Sequence, residues 1–215
     1  MTIQIEAVLF DADGVIQRRP PAWKGALGEV LGFSGDPSDF IKDVYTAEIP
    51  ALEGHTDFAE ALSKVLSRWN CQASLDDALR EWTALEVDPN ITATVRALRQ
   101  NGVACYLASN QELVRARYMS KVLGYRDLFE REFYSCELGV MKPNGAYFRT
   151  ILREIKIPAA HVLFLDDHQV DIDSAREVGI HAALLHLEMG TEKLHHILEE
   201  FGIRAEWRGR RQSTT

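Results

Sequence analysis

The hydrophobic and polar positions divide the chain into a helical segment and a segment of mixed period. Between Gln17 and Glu86, apolar side chains recur every three or four residues, which is the spacing of one face of a helix. Four such stripes are present: Trp23, Leu27, Val30 and Leu31; Phe40, Ile41, Val44 and Tyr45; Phe58, Leu62, Val65, Leu66 and Trp69; and Leu75, Ala78, Leu79 and Trp82. They predict four helices with no strand between them, which is typical of a small bundle.

The rest of the chain alternates between short apolar runs and helical stripes. The runs predict buried strands at Val8–Phe10, Val103–Leu107, Glu132–Ser135, Val162–Leu165 and Ala182–Leu185. Alternating strands and helices predict an α/β fold with a parallel sheet and right-handed crossovers. The first strand belongs to this sheet, so we predict a discontinuous core (residues 1–17 and 87–215) and an inserted four-helix cap (residues 18–86) over the carboxyl edge.

Composition narrows the class of protein without naming it. The 215 residues are 46% hydrophobic and 26% charged, as in an ordinary globular chain, and no apolar run reaches the roughly 20 residues of a membrane helix. A net charge of −8 argues against general nucleic-acid binding, although four arginines (Arg204, Arg208, Arg210 and Arg211) lie near the end. Three cysteines without CxxC spacing, and no secretory pattern in residues 1–13, lead us to expect a cytoplasmic protein without disulfides.

Polar residues follow the predicted strands at consistent places. These are Asp11 and Asp13 after the first strand, Ser109-Asn110 after the second, Lys142-Pro143 at the start of a later helix, and Asp166-Asp167 after the run at 162–165. Each has an ordinary alternative, since Asp and Gly are common in turns and Ser-Asn is a common helix cap. Parallel strands would bring all four groups to one edge of the sheet, where α/β proteins bind ligands. Their joint occurrence in this order favours a phosphoryl-transfer site.

The two aspartates of the first turn suggest a division of labour. Asp11 is the candidate nucleophile, because a carboxylate can accept a phosphoryl group and divide hydrolysis into two easier steps. Mg²⁺ would offset the repulsion between this carboxylate and a phosphate, with Asp11, Asp167 and the backbone carbonyl of Asp13 as candidate ligands. The Asp13 side chain is then the candidate acid and base for the leaving oxygen and the attacking water.

The remaining groups are candidates for phosphate binding and support. Ser109, Asn110 and Lys142 would bind the phosphoryl oxygens and balance their charge. Asp166 and Asp171 would hold metal-bound waters or orient Lys142.

These residues resemble the motifs of the haloacid dehalogenase-like phosphohydrolases. Four motifs are present in order: Phe10-Asp11-Ala12-Asp13-Gly14-Val15, Ala108-Ser109-Asn110, Lys142-Pro143, and Phe164-Leu165-Asp166-Asp167 with Asp171 and Gly179 beyond. The resemblance implies a Rossmann-like three-layer core, a requirement for Mg²⁺, an aspartyl-phosphate intermediate and a small phosphorylated metabolite as substrate. The helical insertion resembles the α-helical cap of the subgroup that contains small-molecule phosphatases, phosphoglucomutases and dehalogenases.

Within that subgroup the residues favour a phosphatase. True dehalogenases carry a non-acidic residue at the position of Asp13. Ala22-Trp23-Lys24 resembles a stretch of the beta-phosphoglucomutases, but the linker Gln17–Pro21 is shorter than theirs and lacks their histidine. A mutase therefore stays an alternative, as does a non-catalytic phospho-acceptor or scaffold domain.

Substrate choice is expected to depend on the cap. The polar link Ala51–Thr56 resembles the loop that related enzymes point towards the active site, so Glu53 and His55 are candidate substrate contacts. Arg18 is a third candidate, for a second anionic group of the substrate, and Arg19 beside it could serve the same purpose. For each of the three, an exposed loop or hinge position is the ordinary alternative. We expect a monomer, with a dimer left open.

Overall fold

The computed structural model describes residues 4–21, 23–32 and 35–203. The four arginines near the end, Ala22 and the side chain of Leu27 lie outside the described residues. The strands are β1 (Ala7–Phe10), β2 (Gln17–Arg18), β3 (Glu86–Val87), β4 (Ala104–Ser109), β5 (Arg131–Tyr134), β6 (Val162–Asp166) and β7 (His181–Leu184). The α-helices are α1 (Trp23–Leu31), α2 (Pro37–Leu52), α3 (Phe58–Arg68), α4 (Leu75–Trp82), α5 (Pro89–Gln100), α6 (Leu113–Lys121), α7 (Tyr125–Leu128), α8 (Ser135–Leu138), α9 (Gly145–Ile155), α10 (Gln169–Glu177) and α11 (Gly190–Glu200).

Five strands form one parallel sheet in the order β5-β4-β1-β6-β7. The strand that carries the first motif is at the centre, where Phe10 is in register with Leu107 of β4 and Leu165 of β6. The predicted α/β fold is confirmed. Because the strands are parallel, the residues that follow β1, β4 and β6 meet at one edge.

The sheet is covered on both faces, which explains the unbroken apolar runs. Successive side chains of a strand point to opposite faces, so Val8 and Phe10 pack in one apolar cluster with α5, α6 and α11, whereas Ala7 and Leu9 pack in a second with α9 and α10. All four side chains are fully buried. The expected three-layer core is therefore present.

The cap helices α1–α4 have an apolar cluster of their own. Trp23, Phe40, Phe58 and Trp82 are among its members, and each is at most 4% exposed. Val30, predicted to lie on the buried stripe of α1, is instead 43% exposed. The α2 helix also continues past Pro50 to Leu52, so the predicted link at Ala51–Thr56 begins two residues later than expected.

The sequence did not indicate the strands that join the cap to the core. Gln17 pairs with Val87 and Arg18 with Glu86 in a two-stranded antiparallel ribbon. A two-residue strand is too short to show a period of two, and the four-residue helices α7 and α8 are too short to show a helical period. Among the described residues, every helix is too short or too polar to cross a membrane.

Candidate active site

The first turn of the core follows the end of β1, and the side chain of Asp167 packs closely against Gly14 in this turn. The amide of Asp11 donates to the carbonyl of Leu165 at 2.9 Å, so Asp11 still belongs to the sheet edge, and its side chain is buried. Gly14 has φ +77°, and a Cβ at this position would lie 2.0 Å from Asp167 Oδ2. Only glycine adopts this backbone without strain and leaves room for the Asp167 carboxylate.

Lys142 brings three of the predicted carboxylates together. Its Nζ lies 2.8 Å from Asp11 Oδ1, 2.5 Å from Asp166 Oδ2 and 3.8 Å from Asp171 Oδ2. Lys142 and Asp166 are almost completely buried, at 3% and 0% exposure. Although burial by itself lowers the pKa of an ammonium, Asp11 and Asp166 raise the pKa of Lys142 well above its ordinary value, so it stays charged.

The side chain of Asn110 positions the backbone of Lys142. The side-chain amide of Asn110 donates to the carbonyl of Lys142 at 3.0 Å, and its oxygen accepts from the amide of Lys142 at 2.9 Å. This side chain was predicted to bind phosphate, but both of its polar atoms are engaged by the Lys142 backbone. Ser109 is buried at the end of β4, and its hydroxyl accepts from Gln111 Nε2 at 3.2 Å.

Three carboxylates form a group that could hold a cation. Oxygen atoms of Asp11, Asp166 and Asp167 all lie within 4.8 Å of one another. Burial raises the pKa of Asp11 to about 6, against the opposing effect of Lys142, and burial followed by the charge of Asp11 raises the pKa of Asp167. A divalent cation would relieve this repulsion, and an all-oxygen donor set fits Mg²⁺. The sequence predicted Asp11 and Asp167 as side-chain ligands of the metal. In the structure, an oxygen of Asp166 is also close enough to bind the same cation.

The side chain of Asp13 is held by three donors. Arg115 Nη2 lies 2.7 Å and Gln17 Nε2 3.0 Å from Asp13 Oδ1, and Gln111 Nε2 lies 2.8 Å from Oδ2. Burial alone would raise the pKa of Asp13, but Arg115 and the bonds from Gln17 and Gln111 lower it below its ordinary value. Asp13 is therefore held as a carboxylate.

Several polar residues lie near Asp13, and of these only Arg19 in the linker was considered from the sequence, as a possible anion contact. Those not anticipated are Glu48 on α2 and Gln111, Glu112 and Arg115 at the start of α6. A usable signal existed for Gln111, Glu112 and Arg115, because they directly follow the Ser109-Asn110 motif and were assigned only to a helix. None existed for Glu48, since a glutamate inside an amphipathic helix is ordinarily exposed.

The three predicted substrate contacts lie at exposed or partly exposed positions. Arg18 is half exposed and pairs with Glu86 across the ribbon at 3.3 Å. Exposed His55 lies 3.9 Å from Glu53. Between them, a Cβ on Gly54 would lie 2.6 Å from the carbonyl oxygen of Cys136, so this loop packs closely against the core. A substrate role for these three residues stays a prediction.

The chain is similar in sequence to known hydrolases. Residues 5–179 match the family model of haloacid dehalogenase-like hydrolases. The chain is 25% identical over 187 residues to a phosphoglycolate phosphatase from Cereibacter sphaeroides, covering 82% of this chain and 83% of that protein. It is also 28% identical over 140 residues to a drimenol cyclase from Aspergillus calidoustus, covering 62% of this chain but only 26% of the cyclase. The chain thus spans about a quarter of that relative.

A solved structure has the same fold. This is an enzyme of the same family, BT-2542 from Bacteroides thetaiotaomicron, in complex with magnesium and inorganic phosphate. It superimposes with a TM-score of 0.75 at 19% identity, covering 88% of this chain and 98% of that chain.

Proposed function

This chain belongs to the haloacid dehalogenase-like hydrolases, and on that premise we propose that it is a Mg²⁺-dependent phosphatase of a small phosphorylated metabolite, such as a sugar phosphate. One observation carries the proposal: the buried ammonium of Lys142 lies between Asp11 and Asp166, with Asp167 beside them, at the carboxyl edge of the sheet. A nucleophile, a counter-charge and candidate metal ligands are the groups that hydrolysis of a phosphate monoester requires.

In the first step, a carboxylate oxygen of Asp11 attacks phosphorus, and the bond from phosphorus to the leaving oxygen breaks. Asp13 gives a proton to that oxygen, which departs as an alcohol and leaves an aspartyl-phosphate. Lys142 stabilises the negative charge between Asp11 and the transferred group, while Ser109 and the backbone around Asn110 bind its oxygens. Asp166 and Asp171 hold Lys142 in place.

In the second step, water attacks phosphorus, and Asp13 takes its proton. The bond to Asp11 breaks, inorganic phosphate leaves, and both aspartates return to their starting forms. The ion pair between Arg115 and Asp13 holds Asp13 as the base that this step uses. The first step needs the protonated acid, so Asp13 must first take a proton from solvent as its bond to Arg115 loosens, and the proton that it later removes from water restores this form.

Asp11, Asp167 and the backbone carbonyl of Asp13 would hold the Mg²⁺ ion, with Asp166 within reach. When bound, this ion would neutralise charge between the nucleophile and the phosphate. BT-2542, which shares the fold, was crystallised with both magnesium and phosphate.

The test is hydrolysis of an aryl phosphate by the purified protein. We expect Mg²⁺-dependent release of phosphate that is abolished by EDTA and in Asp11→Asn. A matched control is Asp173→Asn, because Asp173 is a half-exposed carboxylate on α10 that pairs with Arg176 at 3.5 Å; it should keep wild-type activity.

Three outcomes would count against the proposal. Full activity in Asp11→Asn would contradict the covalent mechanism. Interconversion of hexose phosphates without release of phosphate would support the mutase alternative instead. Absence of turnover on a broad panel of phosphate esters would support the scaffold alternative.

A further inference from the structure

A group of buried polar side chains lies beside Asp13, where the cap segment meets the core. We call it the junction cluster: Arg19, Glu48, Gln111, Glu112 and Arg115. Arg19 and Glu48 come from the cap segment, and the other three come from the core. The cluster is therefore complete only when the two parts are in contact.

Trp82 of the cap is at the centre of this contact. Its indole Nε1 donates to Glu112 Oε1 at 3.1 Å, which ties α4 to the start of α6. The guanidinium carbons of Arg19 and Arg115 lie 4.3 Å and 5.9 Å from the centre of the Trp82 ring, so one aromatic side chain borders both cations. Arg19 also stacks on Trp23 at 3.9 Å and donates to the carbonyl of Trp82 at 2.8 Å.

Three atoms of the cluster have unmet hydrogen-bonding capacity. Arg19 Nη2, Arg115 Nε and Gln111 Oε1 are buried and lack a hydrogen-bond partner in the described part of the chain. Two of them are donors and the third is an acceptor. Leaving such atoms buried and unpaired costs about 1–3 kcal/mol each, so their convergence at one place indicates a ligand.

Asp13 connects this cluster to the proposed chemistry. Arg115 and Gln111 both donate directly to its carboxylate, at 2.7 and 2.8 Å. Asp13 is the group proposed to protonate the leaving oxygen, so the atoms of the substrate beyond that oxygen would face the same two residues. The cluster is thus on the leaving-group side of the site.

The charges in the cluster oppose a second anion. Arg19 and Arg115 face three carboxylates, those of Asp13, Glu48 and Glu112. Burial, despite the opposing effect of Arg115, raises the pKa of Glu48 to about 7, and the nearby carboxylates of Glu112 and Asp13 act in the same direction as burial. A carboxylate or a second phosphate on the leaving group would increase that excess.

Hydrogen-bond matching distinguishes the remaining classes of leaving group. A hydrocarbon would leave both donors and the Gln111 acceptor unpaired. A carboxylate could accept from the two arginines but could not donate to Gln111 or Glu48. Hydroxyl groups both donate and accept, so of these three classes only they can satisfy both kinds of atom.

We propose that the junction cluster binds the leaving group of the substrate and selects an uncharged, hydroxylated one, as in the phosphate monoester of a sugar or polyol. Arg19 and Arg115 donate to the hydroxyl oxygens, and Glu48 and Gln111 accept from the hydroxyl groups. This inference rests on the phosphatase function proposed above.

The test uses three substrates of equal chain length and one aryl phosphate as a reference. The three are a hexitol phosphate, hexyl phosphate and ω-carboxypentyl phosphate. The measured quantity is the ratio of kcat/KM for the hexitol ester to kcat/KM for the aryl ester. Both values come from one preparation, so the folded fraction cancels.

For the full-length wild-type protein we expect kcat/KM for the hexitol ester to exceed that for hexyl phosphate by about 100-fold or more, because a site built for hydroxyl groups rejects analogues without them. Glu48→Gln should lower the hexitol-to-aryl ratio by about tenfold or more, the effect of losing one charged hydrogen bond. Arg19→Lys, which keeps the charge but loses Nη2, should lower it as well. Glu29→Gln, an exposed acid on α1, should leave the ratio unchanged.

Each alternative result would overturn the proposal in a recognisable way. An unchanged ratio in both Glu48→Gln and Arg19→Lys would exclude leaving-group recognition by this cluster. Preference for the ω-carboxypentyl ester would indicate an anion subsite instead. Hydrolysis of the aryl ester with no preference among the three would refute this inference alone, whereas no Mg²⁺-dependent hydrolysis of any ester would refute the phosphatase function as well.

Discussion

Replacing the candidate nucleophile should stabilise the protein in the absence of metal. Asp11 is buried beside Asp166 and Asp167, and burial raises its pKa to about 6, against an ordinary value of 3.8. A carboxyl group with a raised pKa favours the folded state below its unfolded pKa, and that contribution is lost as the pH rises through the folded pKa. Metal-free wild-type protein should therefore lose stability between about pH 4 and pH 6.

The size of the change in the free energy of unfolding follows from the shift in the pKa of Asp11. A difference of about two pKa units corresponds to about 3 kcal/mol at neutral pH. Asp11→Asn removes this cost but weakens the 2.8 Å contact with Lys142, which keeps its bond to Asp166 at 2.5 Å. We expect a net gain of about 1–3 kcal/mol, or about 2–10 °C in Tm for a chain of this size.

The assay is thermal unfolding of both proteins in EDTA from pH 4 to pH 8, repeated with saturating Mg²⁺. In EDTA, Asp11→Asn should be the more stable protein above about pH 6, with the difference shrinking towards pH 4. With Mg²⁺ at 100 times Kd the advantage of Asp11→Asn should shrink by up to about 2.7 kcal/mol, because the wild type gains that much from binding and the variant lacks one ligand. Lower stability of Asp11→Asn in EDTA at every pH would refute the reasoning, as would a difference that does not change with pH.

Two further substitutions test how the site is assembled. Gly14→Ala places a Cβ 2.0 Å from Asp167 Oδ2 at a residue with φ +77°. It should lower the free energy of unfolding by about 1–2 kcal/mol through backbone strain, and it should abolish Mg²⁺-dependent activity. Gly102→Ala is the control for strain alone, because Gly102 has φ +83° and open space around it. Asn110→Ala removes two hydrogen bonds to the Lys142 backbone. It should lower kcat by about 10-fold or more and leave unchanged the Mg²⁺ concentration that gives half-maximal activity. A wild-type kcat in this variant would contradict the role of Asn110 in positioning Lys142.

The core of the fold and much of the candidate site could be predicted because their signals are local. Buried parallel strands leave unbroken apolar runs, and the motif residues directly follow them in sequence. Lys142 could be associated with Asp11 because Asp11 follows a core strand and Lys142 precedes a core helix. In the structure the Lys142 Nζ lies 2.8 Å from Asp11 Oδ1.

The junction cluster could not be predicted in this way, because its members meet only through the packing of cap on core. Glu48 lies within an amphipathic helix, and nothing in its spacing distinguishes it from an exposed glutamate. Arg18 and Arg19 illustrate the same limit. The sequence offered both as possible anion contacts and we chose Arg18, yet the ribbon turns Arg18 outward to Glu86, while Arg19 stacks between Trp23 and Trp82.

The ribbon of β2 and β3 also bears on how this protein could have acquired its cap. Arg18 and Glu86 are paired neighbours, so the chain leaves the core and returns to it at adjacent points. A two-residue turn from Arg18 to Glu86 would close the ribbon as a hairpin and leave the five-stranded sheet and its connections unchanged. We therefore expect that this helical segment could be removed without loss of the sheet, which would leave the same carboxylates and lysine open to water and to any phosphate ester.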